Sequence, residues 1–309
     1  MSTQFDVSSA GTAHCLPEKQ TQMKCVIKKQ VTTPFAYPRD FLENRFVYLT
    51  ISPRARGLSI GVNINPDAKC NFDCLYCEVD RIPLRPDSLI DCDVAGEELE
   101  RALEFVQSGN VALHAPYAAL PPDLLRLRHV ALSGDGEPTA SPLFLEAVET
   151  VVHVRARGRF PFFKIVLITN AACLEEPNVQ AGLCLLTPKD EIWAKLDAGT
   201  QEYLEAVNRT AVPLEKILKN ILETARQRPV IIQSLFSAVD GFGPSSKEID
   251  EYAQRVRELK EAGANIPLVQ IYSATRPTAT TRVDHLPLRT MAAIAATVRR
   301  VAGVRAEVF

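Results

Sequence analysis

Three cysteines share one short segment of the chain. Cys70, Cys74 and Cys77 stand in the run Lys-Cys-Asn-Phe-Asp-Cys-Leu-Tyr-Cys. Their thiolates suit an iron-sulfur cluster, because three cysteines hold three irons of a [4Fe-4S] cubane and leave the fourth iron open for chemistry. A structural zinc site needs four protein ligands, so zinc would have to recruit a distant residue such as Cys92. The spacing favours the cluster, and zinc remains the alternative.

Other polar residues suited to ligand binding stand directly after apolar, β-branched runs. They are Gly134, Asp135, Gly136 and Glu137 after one run, Asn170 after the next, and Lys195 and Asp197 at the end of a third. Each group alone is also a common turn sequence. Because the cysteines follow a similar run, the groups together indicate one ligand site.

The apolar runs alternate with amphipathic stretches, which is typical of strand–helix units around a parallel sheet. Strands are predicted at residues 59–63, 129–133, 164–169, 191–196, 230–235 and 268–272, each followed by a helix, and a last strand at 304–309. Eight units complete a TIM barrel, so six predict an α/β fold with an incomplete (β/α)6 TIM-type barrel, open on one side. The loops after the strands then share one rim.

The rest of the sequence predicts the domain bounds, the localisation and the surface charge of the protein. Residues 1–44 are polar and aperiodic, which predicts a flexible N-terminal extension before a barrel domain at 45–309. Without an 18-residue apolar run or a signal-peptide pattern, we expect a soluble, cytoplasmic protein. The formal net charge of -2 gives no global attraction for nucleic acid. The densest basic stretch is interpreted as ordinary surface and comprises Arg126, Arg128, Arg155, Arg157, Arg159 and Lys164.

At these motifs the sequence resembles the radical SAM superfamily. The C-x3-C-x2-C motif with Tyr76 before its third cysteine is typical of that superfamily, as is Gly-Glu-Pro at 136–138. The match runs from about Arg45 to Arg276. The surrounding runs Gly-Leu-Ser-Ile-Gly-Val, Ser-Gly-Asp-Gly-Glu-Pro-Thr and Trp-Ala-Lys-Leu-Asp-Ala-Gly-Thr resemble a branch of iron-sulfur oxidoreductases. That branch is similar to wybutosine-type tRNA-modifying enzymes and, more distantly, to glycyl-radical activating enzymes.

The resemblance implies a mechanism. The amino and carboxylate groups of S-adenosylmethionine chelate the open iron of a [4Fe-4S] cluster, and one electron cleaves the sulfonium. The products are methionine and a 5'-deoxyadenosyl radical, which abstracts hydrogen from a substrate. The protein supplies orientation and exclusion of water.

The resemblance also implies roles for single residues. Cys70, Cys74 and Cys77 would hold the cluster, and Tyr76 would lie near the adenine. Glu137 and the Gly134–Gly136 backbone would receive the methionine ammonium. The superfamily's usual Gly-Gly-Glu reads Gly-Asp-Gly-Glu here, so Asp135 is the alternative partner. The residues at the positions where relatives hold the ribose and carboxylate of the cofactor are Asn170, Lys195 and Asp197.

Three further positions allow two interpretations each. Gln233 and Gln270 interrupt apolar strands, so they either face the barrel interior or are satisfied core amides. Arg276, before Pro277, either binds a carboxylate or phosphate or belongs to a surface turn.

The leading hypothesis is therefore a radical SAM enzyme that abstracts hydrogen. It needs a one-electron reductant, such as a flavodoxin- or ferredoxin-like protein, and no membrane. Its substrate is a tRNA base, a glycine of a glycyl-radical protein or a small metabolite. The competing hypothesis is a non-catalytic iron-sulfur electron carrier or a zinc-stabilised scaffold, and a carrier favours four protein ligands over three.

Overall fold

Ten strands form within the residues that this computed structural model describes, which are 35, 41–79, 81, 87–275, 278 and 280–309. Most of the predicted N-terminal extension, together with Arg276 and Pro277, lies outside these residues. The strands are β1 Val47–Ser52, β2 Gly57–Asn63, β3 Leu127–Ser133, β4 Ile165–Thr169, β5 Glu191–Lys195, β6 Val230–Leu235, β7 Ser237–Val239, β8 Val269–Tyr272, β9 Val283–His285 and β10 Ala306–Val308.

Eight of these strands form one curled sheet in the order β1-β2-β3-β4-β5-β6-β8-β10, and β7 pairs with β9 separately. All neighbours in the large sheet pair parallel except β1 and β2, which pair antiparallel. The helices are α1 Cys92–Gln107, α2 Phe144–Ala156, α3 Pro177–Cys184, α4 Gln201–Asn208, α5 Leu214–Gln227, α6 Ser246–Glu261 and α7 Leu288–Ala302. Six strand–helix units and a final strand confirm the incomplete TIM-type barrel.

Strand β1 was absent from the predicted strands. Its sequence Val-Tyr-Leu-Thr-Ile-Ser is typical of a strand, and it forms a hairpin with β2 around residues 53–56. The start of β1 is fixed from a distance, because the buried Glu98 carboxylate on α1 accepts hydrogen bonds from the backbone N–H groups of Arg45, Phe46 and Val47. The parallel barrel therefore gains an antiparallel edge.

The two faces of the large sheet differ in polarity, because alternate residues of a strand point to opposite faces. One face carries residues such as Leu49, Ile60 and Ile232, which pack with the helices in one hydrophobic core. The opposite face is the inner face of the half-barrel. Residues of neighbouring strands that share it by register include Ser59, His129, Ile168, Trp193, Lys195, Gln233, Gln270, Leu235 and Tyr272. The interior of the half-barrel is therefore lined by many polar side chains.

In the described part of the chain, no helix combines the length and the apolar character that crossing a membrane requires.

The basic stretch noted in the sequence is largely paired with acids. Arg157 and Arg159 both bind Glu100, and Lys164 binds Glu191 at 2.5 Å. The deepest pair joins Arg155 of α2 to Asp190, whose side chain is 0% exposed. Asp190 also accepts bonds from the backbone of Ile165 and from Thr187. These partners give the stretch a structural role in joining α2 to strands β4 and β5.

Replacing Asp190 by Asn should destabilise the fold, because Arg155 would lose its buried carboxylate partner. We expect the free energy of unfolding at pH 7 to fall by about 3 kcal/mol. Burial alone would raise the pKa of Asp190, but hydrogen bonds from Arg155, Ile165 and Thr187 outweigh it, and the pKa lies below its ordinary value. The stabilisation is therefore present above the unfolded pKa of roughly 4 and is lost as the pH falls through the folded pKa.

Urea unfolding of wild type and D190N at pH 7 and at pH 3 tests this expectation, and the difference between the two proteins should shrink at the lower pH. The matched control is D123N, which removes an exposed pair with Arg126 and should change stability by less than about 1 kcal/mol. A D190N effect as small as that of D123N would contradict the assignment.

Candidate active site

The cysteine loop follows β2, and all three of its cysteines are half-buried. Each sulfur has an N–H donor beside it. The backbone N–H of Phe72 lies 3.4 Å from the Cys70 sulfur, and the Arg81 guanidinium lies 3.8 Å from that of Cys77. The Nδ2 atom of Asn208 lies 3.4 Å from the Cys74 sulfur. Such donors stabilise the negative charge of thiolate ligands.

The loop is held by backbone contacts on two sides. At its start, the backbone N–H of Glu137 donates to the Lys69 carbonyl at 3.2 Å. In its middle, the N–H groups of Asp73 and Leu75 donate to carbonyls of Asn208 and Val207 at the end of α4. The β3–α2 loop and the end of α4 therefore fix the positions of the cysteines together.

Close approach explains the glycines of the predicted Gly-Asp-Gly-Glu element. A Cβ atom on Gly136 would lie 1.8 Å from the Lys69 carbonyl oxygen. Gly134 has a φ of +149°, and a Cβ there would lie 2.1 Å from the Asn63 side-chain oxygen. Asp135 is fixed by the same Asn63, which donates to its carboxylate at 3.1 Å. The element thus packs directly against the end of β2 and the start of the cysteine loop.

The Glu137 carboxylate is buried and heavily hydrogen-bonded. It accepts bonds from the Thr139 backbone and hydroxyl, the Thr169 hydroxyl and the Asn170 backbone, at distances from 2.5 to 3.0 Å. A carboxylate has about four acceptor positions, so the protein fills them. Burial raises the pKa of Glu137 above its ordinary value, although these hydrogen bonds oppose the rise. Glu137 thereby joins the ends of β3 and β4.

Asn170 lies at the rim, beside the cysteine loop. Its Nδ2 atom donates to Asn71 at 2.6 Å and lies 4.0 Å from the Cys70 sulfur. Asn71 in turn donates to the sulfur of Cys173 at 3.6 Å. Asn170 therefore lines the loop beside Cys70, and its role toward the cofactor stays a prediction.

Tyr76 and Asp197 belong to a group of hydrogen-bonded side chains beside Cys74. The Tyr76 hydroxyl donates to the Asp197 carboxylate, and the Asn208 Nδ2 atom lies 2.6 Å from the Tyr76 oxygen and 2.9 Å from Asp197. Lys195 lies 3.3 Å from the same carboxylate. Burial lowers the pKa of Lys195, but Asp197, Tyr272 and Cys74 together outweigh that effect, so the pKa is raised and the lysine remains a cation. The sequence reasoning missed Asn208, which has no motif of its own.

Gln233 and Gln270 both lie on the inner face, as one of their two interpretations held. Both are buried, and Gln233 donates to the Gln270 side-chain oxygen at 2.8 Å. The side-chain oxygen of Gln233 is buried without a hydrogen-bond partner among the described residues. The amide pair is therefore only partly satisfied by the protein.

No protein-family model matches the chain. Among curated proteins, a GTPase Obg from Brachyspira hyodysenteriae is 20% identical over 247 residues, which cover 79% of this chain and 32% of that protein. The chain thus spans about a third of that relative's length. The present sequence contains no Gly-Lys dipeptide, and therefore no G-x4-G-K-[ST] phosphate-binding loop.

Solved structures give a consistent fold match. A structure of TYW1 with a lysine-pyruvate adduct bound has a TM-score of 0.53 and 14% identity, and covers 85% of each chain. Streptococcus suis SuiB bound to S-adenosylmethionine has a TM-score of 0.55 and 15% identity, and covers 83% of this chain and 52% of SuiB. The chain therefore shares the fold of TYW1 and of SuiB.

The three cysteines of the loop, all among the described residues, do not converge as the ligands of a single metal ion would. Among the residues that the structure describes, no group of three His, Cys, Asp or Glu side chains could hold one ion. A zinc site needs such convergence, whereas the cysteines of a cubane bind different irons. Cys92, the alternative zinc ligand, opens α1 and hydrogen-bonds Thr150 of α2. The donors beside all three sulfurs suit cluster thiolates.

Burial also affects the state of the free cysteines. It raises the pKa of Cys70 to about 12, and it raises the pKa of Cys74. Both side chains therefore carry their protons at neutral pH, and metal binding must displace those protons.

Replacing Gly136 by Ala should disturb the cysteine loop, because the new methyl group would overlap the Lys69 carbonyl. We expect the cluster affinity to fall by about tenfold or more, as for other changes next to metal ligands. Iron and sulfide per chain after anaerobic reconstitution measure this. The control is Gly96→Ala in α1, whose nearest neighbour is a flexible Thr150 methyl at 3.2 Å. Full cluster content in Gly136→Ala would contradict the proposed packing role.

Proposed function

We propose that this protein is a radical SAM enzyme, with a [4Fe-4S] cluster on Cys70, Cys74 and Cys77 and S-adenosylmethionine at the open iron. One observation carries the proposal. In a fold of the radical SAM type, three sulfurs on one loop each have an N–H donor, and that loop packs against the Gly-Asp-Gly-Glu element. Such a cluster would supply one electron to the sulfonium, whose cleavage would give methionine and a 5'-deoxyadenosyl radical for hydrogen abstraction.

The protein's own residues would bind and orient the cofactor. The backbone of Gly134–Gly136 offers carbonyl oxygens to the methionine ammonium, with Asp135 or Glu137 as the nearby carboxylate. Since four bonds already hold Glu137, we assign its carboxylate chiefly to fixing the loop and the backbone carbonyls to the ammonium. Tyr76 would lie beside the adenine of the cofactor.

Lys195 and Asp197 would bind the ribose or the carboxylate of the cofactor. The cation can donate to an oxyanion, and Asp197 can accept from ribose hydroxyls. Asn208 contacts both Asp197 and the Cys74 sulfur. One side chain therefore connects a proposed cofactor-binding residue to a proposed ligand of the iron-sulfur cluster. This connection would hold the adenosyl group in a fixed position relative to the cluster.

The reaction needs a one-electron reductant, for which a flavodoxin- or ferredoxin-like protein is the expected class. Of the three substrate classes, a polyanion such as tRNA is the least favoured, because Arg155, Arg157, Arg159 and Lys164 are neutralised by acids. The polar inner face favours a small polar substrate.

Loss of one cluster ligand tests the central proposal. In wild type reconstituted anaerobically and reduced with dithionite, we expect an EPR signal that changes with S-adenosylmethionine, together with formation of 5'-deoxyadenosine. Cys74→Ala should lose both, because its iron loses a ligand. The exposed Cys184 offers a matched control, and Cys184→Ala should behave as wild type. A wild-type cluster indifferent to the cofactor would support an electron carrier, and bound zinc would support a scaffold.

Asp197→Asn tests the cofactor site separately from the cluster. The substitution keeps the size of the side chain but removes the charge facing Lys195, so we expect affinity for S-adenosylmethionine to fall about tenfold. Iron content should remain at the wild-type level, and equilibrium dialysis with labelled cofactor gives the affinity. Asp284→Asn, at an exposed position in β9, is the control. An unchanged affinity would exclude Asp197 from the cofactor site.

A further inference from the structure

Arg54 lies at the tip of the β1–β2 hairpin and reaches the opposite edge of the sheet. Its guanidinium carbon lies 4.2 Å from the centroid of the Tyr272 ring, at the end of β8. The neighbouring Arg56 binds Glu307 of β10 at 3.1 Å and lies over the ring of Phe309. The hairpin tip therefore bridges the two edges of the incomplete barrel.

Arg54 is a cation without an acidic partner among the residues that the structure describes. Its contact there is the face of Tyr272, and its Nε–H is buried with no hydrogen-bond acceptor. A buried donor that is left without an acceptor is unfavourable, and a guanidinium edge matches the two oxygens of a carboxylate or phosphate. Arg54 therefore has an unused capacity to bind an oxyanion.

Tyr272 connects Arg54 to the candidate cofactor site. Lys195 donates to the Tyr272 hydroxyl at 3.2 Å and lies 5.6 Å from the ring centroid. The same lysine lies 4.9 Å from the centroid of the Tyr76 ring. Contacts thus run from Tyr76 through Lys195 and Tyr272 to Arg54. Since Asp197 balances the charge of Lys195, Arg54 provides the excess positive charge at the far end.

The charged groups around Arg54 do not cancel that excess. Glu191 is engaged by Lys164 and by the Trp193 ring N–H, while Glu307 binds Arg56 and Arg305. His129 faces Arg54 and Lys164. Burial chiefly, and then these two cations, lower its pKa to about 3, so it is neutral. The local field therefore favours an anion.

We propose that Arg54 and Tyr272, on the inner face of the half-barrel, bind a carboxylate or phosphate group of a small-molecule substrate. This inference rests on the proposed function, whose substrate class it specifies. With its anionic group at Arg54, a substrate extends along Tyr272 and Lys195 toward Tyr76. Its other end then faces the rim that carries the cysteines.

Anion titrations test this site without knowledge of the substrate. Trp193 is the single tryptophan of the chain and lies on the inner face against His129. Its fluorescence therefore reports on ligand binding inside the half-barrel. Reconstituted full-length protein is titrated with inorganic phosphate and with succinate at constant ionic strength. We expect a saturable change with one or both anions, and affinity about tenfold weaker in Arg54→Gln, which loses the charge-assisted bonds.

The matched control is Arg56→Gln, which removes the same charge from the same hairpin but outside the inner face, and its affinity should stay within about twofold of wild type. Circular dichroism melting verifies that both variants fold. Response to phosphate alone assigns a phosphorylated substrate, and response to succinate alone assigns a carboxylate. No saturable response in wild type, or equal losses in the two variants, would overturn the proposal.

Two further measurements separate this inference from the proposed function. Arg54→Gln should retain the EPR change with S-adenosylmethionine and the substrate-free formation of 5'-deoxyadenosine. If the variant instead binds S-adenosylmethionine more weakly, Arg54 belongs to the cofactor site and the inference is wrong. If wild type binds the anions but its cluster ignores S-adenosylmethionine, the proposed function fails while the anion site stands.

Discussion

The rim of this half-barrel depends on one close contact, in which the Lys69 carbonyl occupies the space that a side chain at position 136 would need. The contact joins the loops after β2 and β3 at the distance of a direct backbone hydrogen bond. Glu137 extends the connection to β4 through Thr169 and Asn170. Three neighbouring strand ends are thereby fixed together, which gives the cysteines a defined position relative to the glycines. Buried polar contacts of this kind are rigid because each broken bond leaves an unsatisfied group.

The two faces of the large sheet have different roles. The outer face is apolar and packs against the helices, so it supplies most of the hydrophobic stabilisation. The inner face carries charged and amide groups that would be costly in an ordinary core. The chain limits that cost by pairing them, as with Gln233 and Gln270, or by keeping His129 neutral. The interior can therefore be polar without unfolding the barrel.

The parts of the fold that follow local patterns were predictable from the sequence. Alternation of β-branched runs with amphipathic stretches gave the six units, and observed strand ends differ from predicted ones by a residue or two, as at β5 and β10. The C-x3-C-x2-C spacing predicted that the loop after β2 holds a cluster, and the structure places that loop at the rim, while the cluster itself stays a prediction. Strand β1 could also have been found, since its composition is typical of a strand.

The contacts that complete the site could not be predicted, because they join residues far apart in sequence. Asn208 is an ordinary residue at the end of α4, and only the packing of α4 against the cysteine loop brings it to Cys74. Arg54 belongs to a turn whose position over Tyr272 depends on the curvature of the whole sheet. The basic stretch gave no sign of its acidic partners, which come from α1 and β5.

The donors beside the cysteine sulfurs have a consequence for biosynthesis. The cysteines leave the ribosome early, but the donor to Cys74 lies 134 residues further along the chain. The carbonyls that hold the middle of the loop also come from α4. A nascent chain that has reached only β3 therefore exposes three thiols without the framework that fixes them. If these cysteines hold the proposed cluster, its insertion would follow translation of more than half of the protein, and a truncated product would carry thiols that are open to oxidation.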